Sequence, residues 1–135
     1  MASGLAEIVE AIAASLDPLT AEVVGLQITG FWNPAPTPPS IDVYPGGPSG
    51  VQASMDGWEE TFTVRARVTS PDDLAAQDLL LSLMDAAGPA SVITYLRIDP
   101  SFGHVVGGSA VDERSGFIPY PGDLLGCEWR LRTIQ

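Results

Sequence analysis

Segment 70–96 most constrains the fold, because its sequence, SPDDLAAQDLLLSLMDAAGPASVITYL, encodes two helical runs separated by a Gly-Pro break. Ser70 is typical of a helix N-cap, and Pro71 suits the first helical position, where its missing N–H costs nothing. Asp72 and Asp73 then place negative charge at the positive end of the helix dipole. We therefore expect a helix to begin directly after Ser70.

Apolar residues at helical spacing give the first run one broad hydrophobic face. That face consists of Ala75, Ala76, Leu79, Leu80, Leu83 and Met84. Gly88 can take the left-handed conformation that ends a helix, and Pro89 prevents the helix from continuing. Val92, Ile93 and Leu96 form the apolar edge of the second run. Both runs are therefore expected to cover a sheet or another helix.

A further helix precedes this block, and strands lie on both sides of it. Apolar residues at helical spacing over 5–16 predict the first helix, with Ser3 as its cap and Asp17-Pro18 as its exit. Strand patterns follow at 23–31, 41–44 and 60–69, and again within 105–118 and 124–134. This order favours an α+β fold: a mainly antiparallel mixed sheet of four to six strands with two main helices packed on one face.

Two of these strands alternate most clearly and carry four of the chain's arginines. In 60–69, the apolar set is Phe62, Val64, Ala66 and Val68, and the opposite set is Thr61, Thr63, Arg65, Arg67 and Thr69. In 124–134, Leu125, Cys127, Trp129 and Leu131 alternate with Gly126, Glu128, Arg130 and Arg132. We expect the polar sets to meet water or the acidic surface of a neighbouring copy. Arg65, Arg67, Arg130 and Arg132 are therefore candidate partner or oligomer contacts.

The length of 135 residues predicts one domain, 1–135, with irregular loops at 33–39 and 45–57 that are rich in proline and glycine. Trp32 and Trp58 lie in or beside these loops. A large aromatic side chain there is either packed against the domain or kept for a partner surface, and the sequence favours neither alternative. Both tryptophans are further candidate partner contacts.

The charge balance narrows the choice of partners. The chain has 17 acidic residues, six arginines and no lysine, for a formal net charge of −11. Tight binding to nucleic acid or to an anionic membrane depends on clustered cationic side chains, so both are disfavoured. The uncharged run 23–41 is interrupted by prolines and predicts no membrane span, and the N-terminal run lacks the basic residues of a secretory signal. A single cysteine excludes an internal disulfide.

Residue types that carry chemistry are sparse. His104 is the sole histidine, and no serine has the context of a nucleophile elbow. Cys127 lies among apolar strand residues, where nothing local would lower its pKa. The acidic pairs lack the spacing of a calcium loop, and the glycines around position 107 lack the context of a phosphate loop. We therefore expect no catalytic, cofactor-binding or metal-binding residue and no enzyme activity.

Four motifs, together with the N-terminal amphipathic helix and a Gly-containing strand region after the helical block, resemble the tail terminator, or tail completion, proteins of long-tailed bacteriophages. The four motifs are IDVYPG at 41–46, TFTVRARV at 61–68, the helical block 70–96 and the closing G-x-E-W at 126–129. The resemblance covers nearly the whole chain. It implies a small α+β subunit without catalysis that forms a hexameric ring, caps the finished tail tube and joins it to the head completion or neck protein.

The same resemblance implies a location and further partners. The subunit would lie at the head-proximal end of the tail in the virion, and in the host cytoplasm during assembly. DNA would pass through the ring without specific binding, and an acidic surface suits that passage.

Three other functions remain open. The first is a head completion protein or another neck connector, because related folds serve several positions along such particles. The second is a small ligand-binding α+β domain that uses His104 with nearby serines or carboxylates. The third is an adaptor that docks one host protein through Trp32 and Trp58.

Overall fold

The structure, a computed structural model, describes residues 4–46, 59–69 and 72–134. Its helices are α1 (Leu5–Ser15), α2 (Leu74–Met84) and α3 (Val92–Ile98), and a 3₁₀ helix (Asp17–Ala21) follows α1. Its strands are β1 (Gln27–Thr29), β2 (Ser40–Pro45), β3 (Glu59–Val68), β4 (Gly108–Arg114), β5 (Ile118–Tyr120) and β6 (Leu124–Ile134). Most of the predicted loop 45–57, together with Ser3, Trp58, Ser70 and Pro71, lies outside the described residues.

The strands form one mixed sheet in the order β1-β2-β3-β6-β4, and β5 pairs with the remaining part of β6. The β1–β2 pair is parallel and every other pair is antiparallel. β3 and β6 pair along their whole length, from Glu59 opposite Ile134 to Val68 opposite Leu125. The last strand in the sequence therefore lies inside the sheet, and the predicted α+β class with a mainly antiparallel mixed sheet is confirmed.

Helices α1, α2 and α3 pack on one face of this sheet, and the apolar sets of the strands meet them there. The predicted alternation in β3 and β6 is confirmed: each residue of the two apolar sets is buried. The helices contribute Ile8, Ile12, Leu80, Leu83, Val92 and Leu96 to the same core. The 3.6-residue period of the helices and the 2-residue period of the strands thus converge on one hydrophobic layer. None of the helices in the described ranges is long and apolar enough to cross a membrane.

The predicted start of the central helix is wrong by several residues. α2 begins at Leu74, and its N-cap is Asp73, whose Oδ1 accepts hydrogen bonds from the backbone N–H groups of Ala75 (2.9 Å) and Ala76 (3.3 Å). One carboxylate at this position satisfies two unpaired donors and also faces the positive end of the helix dipole. Asp73 therefore caps the helix instead of lying within its first turn.

Two predicted strand regions are also shorter than expected. In 23–31 only β1 is a strand, because Gly25 has a φ of +77° and turns the chain just before it. In the region after α3, Val105 and Val106 belong to a turn that follows three consecutive left-handed residues, Phe102 to His104. β4 starts only at Gly108, and its pairing with β6 shifts register between Val111 and Glu113.

Candidate interaction surface

The face of the sheet opposite the helices carries a buried group of charged residues. Asp42 on β2 lies directly opposite Arg65 on β3, and its two carboxylate oxygens accept hydrogen bonds from Arg65 Nε (3.0 Å) and Nη2 (2.5 Å). Arg67, two residues further along β3, places its Nη2 3.3 Å from the same carboxylate. All three residues are at most 5% exposed. We call Asp42, Arg65 and Arg67 the arginine cluster.

The cluster is covered by the proline-rich connection between β1 and β2. The backbone N–H of Asn33 donates to Asp42 Oδ2 at 3.0 Å. Its carbonyl oxygen accepts from Arg67 Nη2 at 2.6 Å and from Arg65 Nη2 at 3.4 Å. Hydrogen bonds to charged partners are the stronger kind. The backbone of one loop residue is therefore fixed to all three members of the cluster.

Aromatic rings surround the Arg65 guanidinium. Its Cζ lies 4.7 Å from the ring centroid of Trp32, 5.0 Å from that of Tyr44 and 5.5 Å from that of Tyr120. The rings of Trp32 and Tyr44 are themselves 4.6 Å apart. These distances are within the range of cation–π attraction. Trp32 nevertheless stays 57% exposed, so it contacts the domain with one side and presents the other to solvent.

Tyr120 connects this arrangement to β6. Its hydroxyl donates to Glu128 Oε2 at 2.6 Å, and its ring lies over Gly126. Burial, followed by the hydrogen bond and the charge of Glu128, raises the pKa of Tyr120 well above its usual value. Burial is also the largest cause of the raised pKa of Tyr44, with the charge of Glu128 next. Both phenols are therefore harder to ionise than a free tyrosine, and the Tyr120 hydroxyl acts as a hydrogen-bond donor.

The two buried arginines respond differently to the same carboxylate. Burial alone would lower the pKa of Arg65, but the hydrogen bond and charge of Asp42 outweigh that effect and raise it. Burial lowers the pKa of Arg67. The charge of Asp42 raises it by less than burial lowers it, and the charge of Arg65 lowers it further. Asp42 is thus primarily the partner of Arg65, and Arg67 depends on both Asp42 and the Asn33 carbonyl oxygen.

The prediction that this side of β3 meets water is wrong for Thr63, Arg65 and Arg67, each of which is buried. The physical reason is that β2 supplies a carboxylate opposite Arg65 while the connection from β1 covers the strand. Within this chain, Arg65 and Arg67 are therefore structural. As contacts to a partner they can act only indirectly, by positioning Trp32.

The other two candidate arginines lie on β6, beside the edge strand β4. Arg130 forms an ion pair with Glu113 at 3.0 Å, and Arg132 forms one with Asp112 at 3.3 Å. Side chains in both pairs remain partly exposed. Arg130 and Arg132 are therefore accessible, but the charge of each is already matched by an acidic residue of the same chain. Trp58, the sixth candidate, lies outside the described residues.

The groups considered for chemistry do not come together. His104 is exposed in the turn after α3, where its backbone N–H donates to Ser101 Oγ at 3.1 Å. Cys127 is buried in the core on β6, and burial raises the pKa of its thiol to about 12. Across residues 4–46, 59–69 and 72–134, no group of three or more His, Cys, Asp or Glu side chains could hold a metal ion.

Sequence reasoning missed Asp42, Asn33, Tyr44 and Tyr120 as members of this surface. A signal was present for one of them: Asp42 lies between Ile41 and Val43, so strand alternation places it on the face opposite the core. An acidic residue on that face favours a cationic partner on a neighbouring strand, and the two-residue spacing of Arg65 and Arg67 puts both on one face of β3. Asn33 acts through its backbone, which no residue pattern indicates.

Compared with known proteins, the chain matches no family model, and no curated protein matches it significantly.

Proposed function

We propose that this chain is a structural virion protein of a long-tailed bacteriophage, which caps the finished tail tube as a ring and joins it to the neck. The proposal begins from the four motifs that resemble tail terminators. Their arrangement in space supports it. IDVYPG forms most of β2 and TFTVRARV forms most of β3, and the two strands pair from Ser40 opposite Arg67 to Pro45 opposite Phe62.

The remaining two motifs join the same unit. The G-x-E-W motif lies on β6, which pairs with the other side of β3, and α2 packs over β3 and β6. Four motifs that are separated in the sequence therefore meet as the centre of the sheet and its covering helix. This convergence is the observation that carries the proposal.

The shape of the sheet supports a ring. A closed ring built from identical subunits needs two different surfaces on each subunit, because each copy contacts its two neighbours through unlike patches. The sheet ends in β1 on one side and β4 on the other. Exposed Trp32 lies in the connection from β1 to β2 and covers Arg65 on the outer face, and the pairs of Arg130 and Arg132 lie beside β4. We propose these two sides as the contacts of a homo-hexamer.

The distribution of charge suits a ring through which DNA passes. Four of the six arginines form ion pairs with Asp42, Glu113 or Asp112 of the same subunit. Affinity for duplex DNA comes largely from cationic side chains that displace counterions. A subunit in which four of six arginines are matched internally, and which carries a formal charge of −11, would let DNA slide past. The proposal therefore has no DNA-binding or catalytic step.

Immunogold labelling of intact particles and isolated tails from the phage that encodes the chain tests the position directly, with the solution mass measured in parallel. Label at the head-proximal end of both is expected. Label that stays with heads after tails are detached would support a neck connector instead. Particles without label, together with a monomeric mass, would overturn a virion role and favour an adaptor or a ligand-binding domain.

A pair of variants tests the proposed contacts. Trp32→Ala is expected to lower incorporation into particles by roughly tenfold, since exposed aromatic residues dominate many interfaces. Leu81→Ala is the matched control, because Leu81 is a similarly exposed apolar residue on α2, away from both sides of the sheet. Equal incorporation of the two variants would remove Trp32 from the interface.

A further inference from the structure

An apolar groove of about 490 Å³ lies between α1 and α3, on the helical layer of the molecule. Its walls include Ala11, Ala14 and Pro18 on one side and Tyr95, Ile98 and Phe102 on the other. The volume is within the range of typical binding clefts. Ile98 is 71% exposed at the groove, and an exposed aliphatic side chain beside an apolar cleft is typical of an interaction site.

The wall on the α3 side is held in place by hydrogen bonds. The hydroxyl of Tyr95 donates to the carbonyl oxygen of Pro89 at 3.1 Å, which fixes the ring. Asp99 accepts from the backbone N–H groups of Ser101 (3.1 Å) and Gly103 (2.8 Å), which fixes the turn that carries Phe102. The groove is therefore formed before any partner arrives, and binding costs little reorganisation.

Acidic residues border the groove. Asp99 is part of its wall, and Asp17 directly precedes Pro18. On α1, Glu7 lies one helical turn before Ala11, so it extends the same face of the helix. Hydrogen bonds from Ser101 and Gly103 lower the pKa of Asp99, so the ionised form that it has at neutral pH is favoured further. Arg97 is the one cationic side chain in α1, α2 and α3.

This charge narrows the choice of occupant. A second copy of the chain would bring a net charge of −11 toward an acidic surface, and four of its six arginines already form ion pairs within the subunit. Nucleic acid and anionic lipid would be repelled for the same reason. We propose that the groove binds a basic amphipathic segment of another protein. Apolar side chains of that segment lie against Ile98 and Phe102, and its lysines or arginines face Glu7, Asp17 and Asp99. The inference goes beyond the proposed function and does not depend on it.

A synthetic peptide supplies the probe. We would use a fluorescein-labelled peptide of about 18 residues with Leu and Lys at helical spacing, long enough for a helix of about 27 Å. A scrambled peptide of the same composition is its control. Fluorescence anisotropy is expected to show saturable binding of the amphipathic peptide and binding at least roughly tenfold weaker for the scrambled one. Equal binding of both peptides, or no binding of either, would overturn the proposal.

Two substitutions to aspartate then locate the contact. Ile98→Asp adds negative charge, so purely electrostatic attraction would tighten peptide binding, whereas loss of an apolar contact in the groove would weaken it. We expect roughly tenfold weakening. Leu81→Asp adds the same charge at an exposed apolar position on α2 and is expected to leave binding unchanged or slightly tighter. If the Ile98→Asp variant binds the peptide as tightly as wild type or more tightly, the proposal is overturned.

Two further measurements close the test. Circular dichroism verifies that the Ile98→Asp variant folds. If that variant does not fold, Ile98→Ala replaces it, and we again expect weaker peptide binding. Analytical ultracentrifugation of the wild-type chain tests the other occupant. A homo-oligomer that dissociates on Ile98→Asp substitution, but not on Leu81→Asp, would show that the groove is covered by a second copy and would overturn a basic partner.

Discussion

Asp42 and Arg65 face each other across β2 and β3, and both carboxylate oxygens accept hydrogen bonds from the guanidinium, at 3.0 and 2.5 Å. The same carboxylate accepts from the backbone N–H of Asn33 and attracts Arg67. Because burial penalises unpaired charge, this carboxylate, which forms ion pairs with both Arg65 and Arg67, compensates two buried guanidinium groups. The stability of the outer face of the sheet therefore depends on Asp42.

Asp42→Asn is expected to lower the free energy of unfolding by about 3–5 kcal/mol, because it leaves two buried arginines without their counter-charge. Urea unfolding followed by circular dichroism measures the loss. Asp112→Asn is the matched control, since it breaks the partly exposed ion pair with Arg132 and should cost at most about 1 kcal/mol. Similar losses in the two variants would contradict the central role of Asp42.

Gly126→Ala is expected to destabilise the fold by about 1–3 kcal/mol or more, because overpacking forces the backbone to move. A Cβ at this position would clash with the carbonyl oxygen of Ala66 on β3 and would lie 2.7 Å from the Tyr120 ring. Gly108→Ala, on β4, is the control, since a Cβ there meets nothing within 4 Å. Thermal unfolding of both variants checks the prediction, and equal midpoints would contradict it.

The Cys127 thiol is expected to be inert in the folded protein and to react with a thiol reagent only after unfolding. Burial raises its pKa to about 12, so little thiolate exists at pH 8. Reaction with 5,5′-dithiobis(2-nitrobenzoate), with and without urea, measures this difference. Fast reaction of the native protein would contradict it.

The same raised pKa predicts an alkaline loss of stability. The unfolded thiol releases its proton above about pH 8.5, whereas the folded thiol keeps it until about pH 12. Unfolding therefore becomes easier as pH rises through this window, by up to about 1.4 kcal/mol per pH unit. Urea unfolding of Cys127→Ala should show a flatter dependence than wild type up to about pH 10, where unfolded tyrosines begin to ionise. Parallel pH profiles in the two proteins would contradict the assignment.

Asp73→Ala is expected to cost about 1 kcal/mol, because it removes the side chain that caps α2. Asp78→Ala serves as the control within the same helix, since Asp78 is exposed and lies beyond the first turn. Urea unfolding distinguishes them. If Asp78→Ala were the more costly of the two, the assignment of Asp73 as the cap would be wrong.

Periodicity was sufficient to predict the core. Phe62, Val64, Trp129 and Leu131 lie on the helix-covered face because a strand alternates its side chains whatever its neighbours are. The class of fold followed from the order of those patterns. The exact start of α2 did not follow, because Ser70 and Asp73 both suit an N-cap and only the packed helix selects between them.

The arginine cluster could not be predicted from the pattern of any single strand, for a different reason. Asp42 and Arg65 are 23 residues apart, and whether they meet depends on the register of β2 against β3. Strand alternation predicts that Arg65 points away from the core, but it does not predict that the connection between β1 and β2 covers that side chain. The burial of Arg65 is thus a property of three segments together, and no one of them encodes it.

β6 lies between β3 and β4, although it follows both in the sequence. During synthesis on the ribosome, β3 would at first have only β2 as a paired strand. The apolar layer of the sheet would lack Trp129 and Leu131 until β6 is made. Pairing of such distant segments is slow, because the chain between them must first be closed into a loop. The domain therefore completes its core only after β6 has been synthesised, and until then the growing chain exposes apolar surface that is prone to aggregation.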